Sequence, residues 1–205
     1  NFRRDRAQRM MSDFYMGIIK KRREGKTDGT GHDMISALME QSYKGGRDIN
    51  DREIAHMMIA LLMAGQHTSS ATGSWAMLRL ASRPEIIEEL YEEQVRVYSD
   101  GAGGFAPLDY DTQKSSVPVL DAVIRETLRM HPPIHSLMRR VKSDMVVPPT
   151  LAAPKTGKGQ STDTYVIPKG HYLVAAPGVS QIDPHVWCDA DKFDPHRWLG
   201  DKLSL

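Results

Sequence analysis

The chain has 205 residues, 40% of them hydrophobic, and a formal net charge of +1. This length suits one globular domain, and the near-neutral charge gives no electrostatic footprint for nucleic acid, so nucleic-acid binding is not expected. A single cysteine, Cys188, excludes an intramolecular disulfide and a cysteine-rich zinc site. The longest apolar run, 57–65, is too short to cross a bilayer, which needs roughly twenty residues.

Hydrophobic periodicity predicts a mainly α-helical chain, with helices over 3–23, 33–43, 50–81, 82–97 and 118–131. Asn50 and Glu53 have the spacing of a capping box at the start of the third helix. Pro118 occupies the first position of the fifth helix, where proline is tolerated. The fourth helix is rich in glutamate, and we expect its acidic side to be solvated.

The remaining stretches are predicted to be loops and a small β-hairpin. The segment 101–116 is predicted to be a loop, and 145–163, rich in Pro, Thr, Lys and Gly, is predicted to be an exposed insertion. Strands are predicted over 164–167 and 171–174. They flank a turn in which Pro168 has the favoured second position for proline.

Glu126 and Arg129 stand three positions apart in the fifth predicted helix, so they share a face and the carboxylate can hold the guanidinium in a fork. Arg197, in the distant sequence Phe-Asp-Pro-His-Arg-Trp, could complete a triad. Buried charges are costly unless they are paired and hydrogen-bonded, so such a triad is architectural rather than chemical. The spacing alone has little specificity, because Glu93 and Arg96 repeat it.

The long central helix is nearly apolar until a run of small and polar residues begins at Gly65. A glycine inside a helix costs about 1 kcal/mol relative to alanine, so Gly65 suggests a partner that approaches the backbone. The Thr68 hydroxyl can bond back to the Ala64 carbonyl and leave a polar notch. On this helix alone, close helix packing with His67 as a satisfied core histidine is the simpler interpretation.

Together and in this order, the central helix and the two arginine motifs resemble the cytochrome P-450 superfamily. That superfamily usually has an acidic residue immediately before the threonine, where this chain has His67. The sequence is instead similar to the sterol 14α-demethylase family, in its fungal form, at 64–69, 132–139, 165–170 and 193–198. The resemblance covers nearly the whole chain and implies a partial P-450 fold. Because the chain opens inside a predicted helix and closes without a terminating element, we interpret 1–205 as one partial domain, truncated at both ends.

The resemblance implies roles for individual residues. His67 and Thr68 would deliver protons during oxygen activation, which suits an imidazole that titrates near neutrality and a hydroxyl that both donates and accepts. Gly65 and Arg139 would contact the haem, with the arginine paired to a propionate. The sterol cavity would be lined by Met63, Ala64, Gly65, Ile134, His135, Ser136, Leu137 and Met138.

The same resemblance implies a haem b cofactor, electrons from NADPH through a cytochrome reductase, a sterol substrate, azole inhibitors, and the endoplasmic reticulum membrane, reached through an anchor outside this chain. The family's axial thiolate lies in a glycine-containing motif, and Cys188 has no such context and precedes Arg197. The ligand is therefore expected beyond Leu205, with none of the residues here ligating metal. The fragment alone is expected to be inactive.

Alternatives belong to three classes. One is another cytochrome P-450 that acts on a large apolar substrate. A second is a metal hydrolase using His131 and His135, although the two intervening prolines prevent the helix that would bring these imidazoles together. A third is a non-catalytic helical interaction module.

Overall fold

The computed structural model describes residues 2–26, 33–147 and 165–200. Within these ranges the chain is mainly α-helical with short antiparallel strand pairs, as the sequence predicts. The helices are α1 (Phe2–Arg23), α2 (Met34–Met39), α3 (Asp51–Leu80), α4 (Pro84–Tyr98), α5 (Tyr110–Ser116), α6 (Pro118–Met130), α7 (Pro177–Ser180) and a 3-10 helix (Pro195–Trp198). The strands are β1 (Leu137–Arg140), β2 (Met145–Val147), β3 (Tyr165–Ile167) and β4 (Tyr172–Ala175).

The chain divides into two compact units, Asn1–Ser70 and Ala71–Leu205, and α3 contributes residues to each. The first unit has a small apolar core in which Ile19, Ile35 and Ile54 are buried. The second has a core cluster of Ile86, Val123 and Phe193. A prediction of one domain over the whole chain is not tested by this division.

The start of α3 has the predicted capping box. The Asn50 side-chain oxygen accepts from the Glu53 N–H at 3.0 Å, and the Glu53 carboxylate accepts from the Asn50 N–H at 3.1 Å. Two otherwise unpaired backbone donors are satisfied in this way. The helix then continues to Leu80, which confirms the predicted length.

α2 and α5 differ from the sequence prediction, and α7 and the 3-10 helix lie where no element was predicted. α2 ends at Met39, before its predicted end at Tyr43, because residues 41–49 form a tight antiparallel turn. Ser42 and Asp48 form a bridge, the Tyr43 N–H donates to the Arg47 carbonyl at 2.8 Å, and Gly46, with φ +81°, donates to the Tyr43 carbonyl at 2.8 Å.

α5 lies inside the segment predicted to be a loop. Its N-cap is Asp109, whose carboxylate accepts from the Thr112 N–H at 2.9 Å. This Asx-type cap was the missed signal.

The strands form two antiparallel pairs, and the pairing corrects the predicted hairpin. β3 and β4 flank the predicted turn, but β4 pairs with β1 and β3 pairs with β2, rather than with each other. The turn is hydrogen-bonded to the residue that follows β1, because the Gly170 N–H donates to the Val141 carbonyl at 2.9 Å. β2 also corrects the start of the predicted insertion, whose remainder, 148–163, lies outside the described residues.

A further correction concerns α4, whose acidic side is not wholly solvated. Glu93 is buried, with 1% of its surface exposed, whereas its neighbour Glu92 is exposed. Among the described residues, no helix is long and apolar enough to cross a membrane.

Candidate functional site

The predicted triad meets at the buried Glu126 side chain. This residue follows Val123 by one turn on the inner face of α6, and both are buried. Arg129 grips the carboxylate as a two-pronged fork, with Nε donating to Oε2 at 2.8 Å and Nη2 donating to Oε1 at 2.9 Å. Both side chains are almost completely buried, so each charge relies on the other.

The 3-10 helix supplies the other side of the network. Arg197 Nε donates to Glu126 Oε1 at 3.1 Å, and the Asp194 N–H donates to the same oxygen at 3.0 Å. The Trp198 indole N–H donates to Oε2 at 2.9 Å. Trp198 was not among the predicted site residues, although it directly follows Arg197 in the sequence motif. The signal that could have found it is its indole N–H, which can only donate and therefore suits a buried carboxylate.

The two arginines use their remaining donors on backbone carbonyls. Arg129 Nη1 donates to the Gln181 and Ala190 carbonyls at 2.7 and 2.9 Å, and its Nη2 also reaches the Lys192 carbonyl at 3.1 Å. Arg197 Nη1 donates to the Cys188 carbonyl at 3.0 Å. The arginines therefore fasten the segment 181–192 to α6 as well as neutralising Glu126.

The ionisation of Glu126 reflects two opposed effects. Burial raises its pKa, but the hydrogen bonds from Arg129, the Asp194 N–H and Trp198 outweigh burial and leave the pKa below its ordinary value. The carboxylate is therefore the state that this surrounding stabilises.

The end of α6 places His131 in an aromatic and basic environment. Its ring stacks on Trp75 with centroids 3.8 Å apart, and its Nε2 accepts from Arg79 Nε at 3.0 Å. Burial, together with the nearby Arg79 cation, lowers the pKa of His131. An imidazole that already accepts a hydrogen bond from an arginine is poorly placed to ligate zinc, and the described residues hold no cluster suited to a metal ion.

His135 approaches the backbone of α7. A Cβ atom at Gly178 would lie 2.2 Å from the ring of His135, so a larger residue here would require the exposed His135 side chain to move. The Gly178 N–H donates to the His135 carbonyl at 3.1 Å. Both residues line a cavity of about 360 Å³, together with Trp75 and His131.

The predicted site residues of the central helix all lie near the end of the first unit and are all exposed: Met63, Ala64, Gly65, His67 and Thr68. The predicted back-bond is confirmed, because Thr68 Oγ1 donates to the Ala64 carbonyl at 2.7 Å. Gly65 has no atom within 4 Å of a Cβ placed on it, so nothing in the described residues requires glycine there.

The other predicted residues lie in the second unit, on the loop after α6 and on β1: Ile134, His135, Ser136, Leu137, Met138 and Arg139. All except the half-buried Leu137 are exposed. Arg139 Nη1 donates to the Met138 carbonyl at 3.0 Å. That these residues and those of the central helix line one cavity remains a prediction.

The mainly helical fold and the buried Glu126–Arg129–Arg197 network agree with the superfamily that the sequence resembles. The chain belongs to the cytochrome P450 family, whose model matches residues 2–204. Membership of this family implies a haem-thiolate cofactor in general.

The chain is similar to fungal sterol demethylases. It is 66% identical over 205 residues to lanosterol 14-alpha demethylase of Mycosarcoma maydis, covering 97% of this chain and 36% of that protein. It is 49% identical over 199 residues to eburicol 14-alpha-demethylase of Uncinula necator, covering 97% of this chain and 35% of the relative. The chain thus spans about a third of the length of these curated relatives.

A solved structure with the same fold is the retinoic acid-bound cyanobacterial CYP120A1. The TM-score is 0.71 at 24% sequence identity, with 96% of this chain and 40% of that chain covered. This similarity confirms the partial P450 fold.

Proposed function

We propose that the chain is part of a sterol 14α-demethylase, a monooxygenase that removes the 14α-methyl group of a sterol of the lanosterol or eburicol type. The observation that carries the proposal is its 66% identity to a fungal lanosterol demethylase. The polar notch at Thr68, beside His67, is the local feature that supports it. The whole protein would draw electrons from NADPH through a reductase partner and act at the endoplasmic reticulum membrane, and azoles would inhibit it.

The residues present fit haem b as the cofactor. The Arg139 guanidinium is exposed, and its Nη1 donates to the Met138 carbonyl. Its other N–H groups form no ion pair with a carboxylate of the described residues, so they could bind a haem propionate. Gly65 offers open backbone to a flat ring. Cys188 lacks the glycine-containing context of the family's thiolate motif, so the thiolate ligand of the haem would come from beyond Leu205. When bound, the haem supplies the activation of dioxygen.

Thr68 and His67 are proposed to handle protons. The Thr68 hydroxyl donates to the Ala64 carbonyl, so its oxygen lone pairs remain able to accept a hydrogen bond from a proton donor and hold that donor in place. The His67 imidazole is exposed and carries one ring nitrogen that can donate and one that can accept a hydrogen bond. Four apolar side chains would orient the sterol by burying its surface: Met63, Ile134, Leu137 and Met138.

The test is sterol turnover by the full-length protein, reconstituted with a cytochrome reductase and NADPH. We expect formate release from lanosterol or eburicol. Thr68→Val keeps the side-chain shape but removes the hydroxyl, so it should lower formate release at least about tenfold and raise NADPH consumption per formate, whereas Thr68→Ser should retain coupling. Unchanged coupling in Thr68→Val would contradict the assigned role. Absence of turnover with any sterol would instead favour a P450 with another large apolar substrate.

A further inference from the structure

Glu93 on α4 is a buried carboxylate that backbone groups stabilise. Its Oε1 accepts from the Val119 N–H at 2.8 Å, and its Oε2 accepts from the Leu120 N–H at 3.0 Å. The nearest cation, Arg96, is 4.0 Å away and 68% exposed. The two N–H groups of α6 therefore satisfy this buried charge more closely than the arginine does.

This contact replaces the missing cap of α6. The helix begins at Pro118, and its N-cap residue, Val117, has no side-chain acceptor. N–H groups of a first helical turn have no partner within the helix, and the positive end of the helix favours a carboxylate. A cap from a residue next to the helix in sequence would satisfy these N–H groups without fixing where the helix lies in the fold. A cap supplied by Glu93 also fixes the place on α4 at which α6 begins.

α4 makes a second polar contact one turn earlier on the same face. Glu89 Oε2 and His196 Nε2 are 2.8 Å apart, in a pair that is partly exposed. His196 immediately precedes Arg197 in the 3-10 helix. The apolar cluster contains Ile86, one turn before Glu89, and Leu90 of α4 packs against it between the two polar contacts. One face of α4 thus touches both segments that meet at the buried network.

We propose that α4 positions the Glu126–Arg129–Arg197 network, with Glu93 and Glu89 as its positioning residues. Glu93 sets the location of Glu126 and Arg129 through the start of α6. Glu89 sets the location of Arg197 through the 3-10 helix. This inference does not depend on the substrate, and it assigns a role to a glutamate in the second Glu-x-x-Arg sequence.

Amide hydrogen exchange on the full-length protein tests the proposal. Glu93→Gln leaves one carbonyl acceptor for two N–H donors. We expect amides at 119–120 to exchange about tenfold or more faster, and amides at 194–198 to follow, although they do not touch residue 93. The exposed neighbour Glu92→Gln removes the same charge from the same helix and should leave both segments unchanged. Ile54→Val, a buried change in the first unit, controls for general loss of stability.

Acceleration confined to 119–120 would make Glu93 a simple helix cap and overturn the proposal. Glu89→Ala removes the acceptor of a partly exposed pair, so it provides an independent variant that leaves the core intact. It should accelerate 194–198 alone. In the double variant, exchange at 194–198 should differ from the product of the separate accelerations, because both residues hold one network. A purely multiplicative result would show that the two contacts act independently and would also overturn the proposal.

Discussion

Two Glu-x-x-Arg sequences in this chain have the same spacing and opposite outcomes. In each, the glutamate is buried, but Arg129 is 1% exposed and grips Glu126, whereas Arg96 is 68% exposed and lies 4.0 Å from Glu93. The difference comes from what faces each helix. Glu126 faces a segment that brings a second arginine, an indole and carbonyl acceptors, whereas Glu93 faces the open start of another helix. The spacing permits a pair, and the tertiary surroundings decide whether it forms.

The largest expected effect is from Arg129→Met. This change leaves the Glu126 carboxylate buried without its main cation, so the free energy of unfolding should fall by about 3–5 kcal/mol. The matched change Arg96→Met should cost less than about 1 kcal/mol, because Arg96 is an exposed partner. Urea unfolding of the full-length protein measures both. Equal losses would mean that the two sequences are equivalent after all.

Acidification should break the network without a mutation. The folded pKa of Glu126 lies below its ordinary value of 4.5, so the stabilisation is fully present above pH 4.5 and is lost as the pH falls through the folded pKa. Stability measured from pH 7 downwards should therefore decline below about pH 4.5. In Glu126→Gln, which cannot titrate, this part of the decline should disappear. An identical pH profile in the variant would refute the assignment.

A smaller effect is expected from Trp198→Phe, which removes one donor from Glu126 and keeps an aromatic ring. The loss should be about 1–3 kcal/mol, because the acceptor is a buried charge. Trp187→Phe is the control, since its indole donates to the neutral Ser180 carbonyl at 3.1 Å and its loss should cost about 0.5–1.5 kcal/mol. Thermal unfolding compares the two, and a larger loss for Trp187→Phe would contradict this ranking.

The sequence predicted helices and the charged triad because both depend on residue types with definite spacing. Pro118, the capping box at Asn50 and the paired Glu126 and Arg129 all follow from local rules. The pairing of β3 and β4 could not be predicted, since a turn at Pro168 has the same pattern whether its strands pair with each other or with a distant segment.

Glu93 shows the other limit of the sequence. A glutamate in a glutamate-rich helix is usually solvated. The Glu93 carboxylate is instead bound by two backbone N–H groups, and because nearly every residue has such a group, the sequence does not reveal this contact. The available signal was indirect: α6 begins at Pro118, and its N-cap residue, Val117, offers no side-chain cap. An uncapped helix end calls for an acceptor from elsewhere in the fold.

The contacts of the two arginines with the segment 181–192 have a consequence for evolution. Arg129 and Arg197 bind carbonyl oxygens of this segment, and every amino acid carries the same carbonyl. Residues such as Lys192 can therefore change side chain while the acceptor remains. Inserting or deleting one residue would instead shift the carbonyls out of reach of both guanidinium groups. Relatives should accordingly preserve the length of this segment more strictly than its composition.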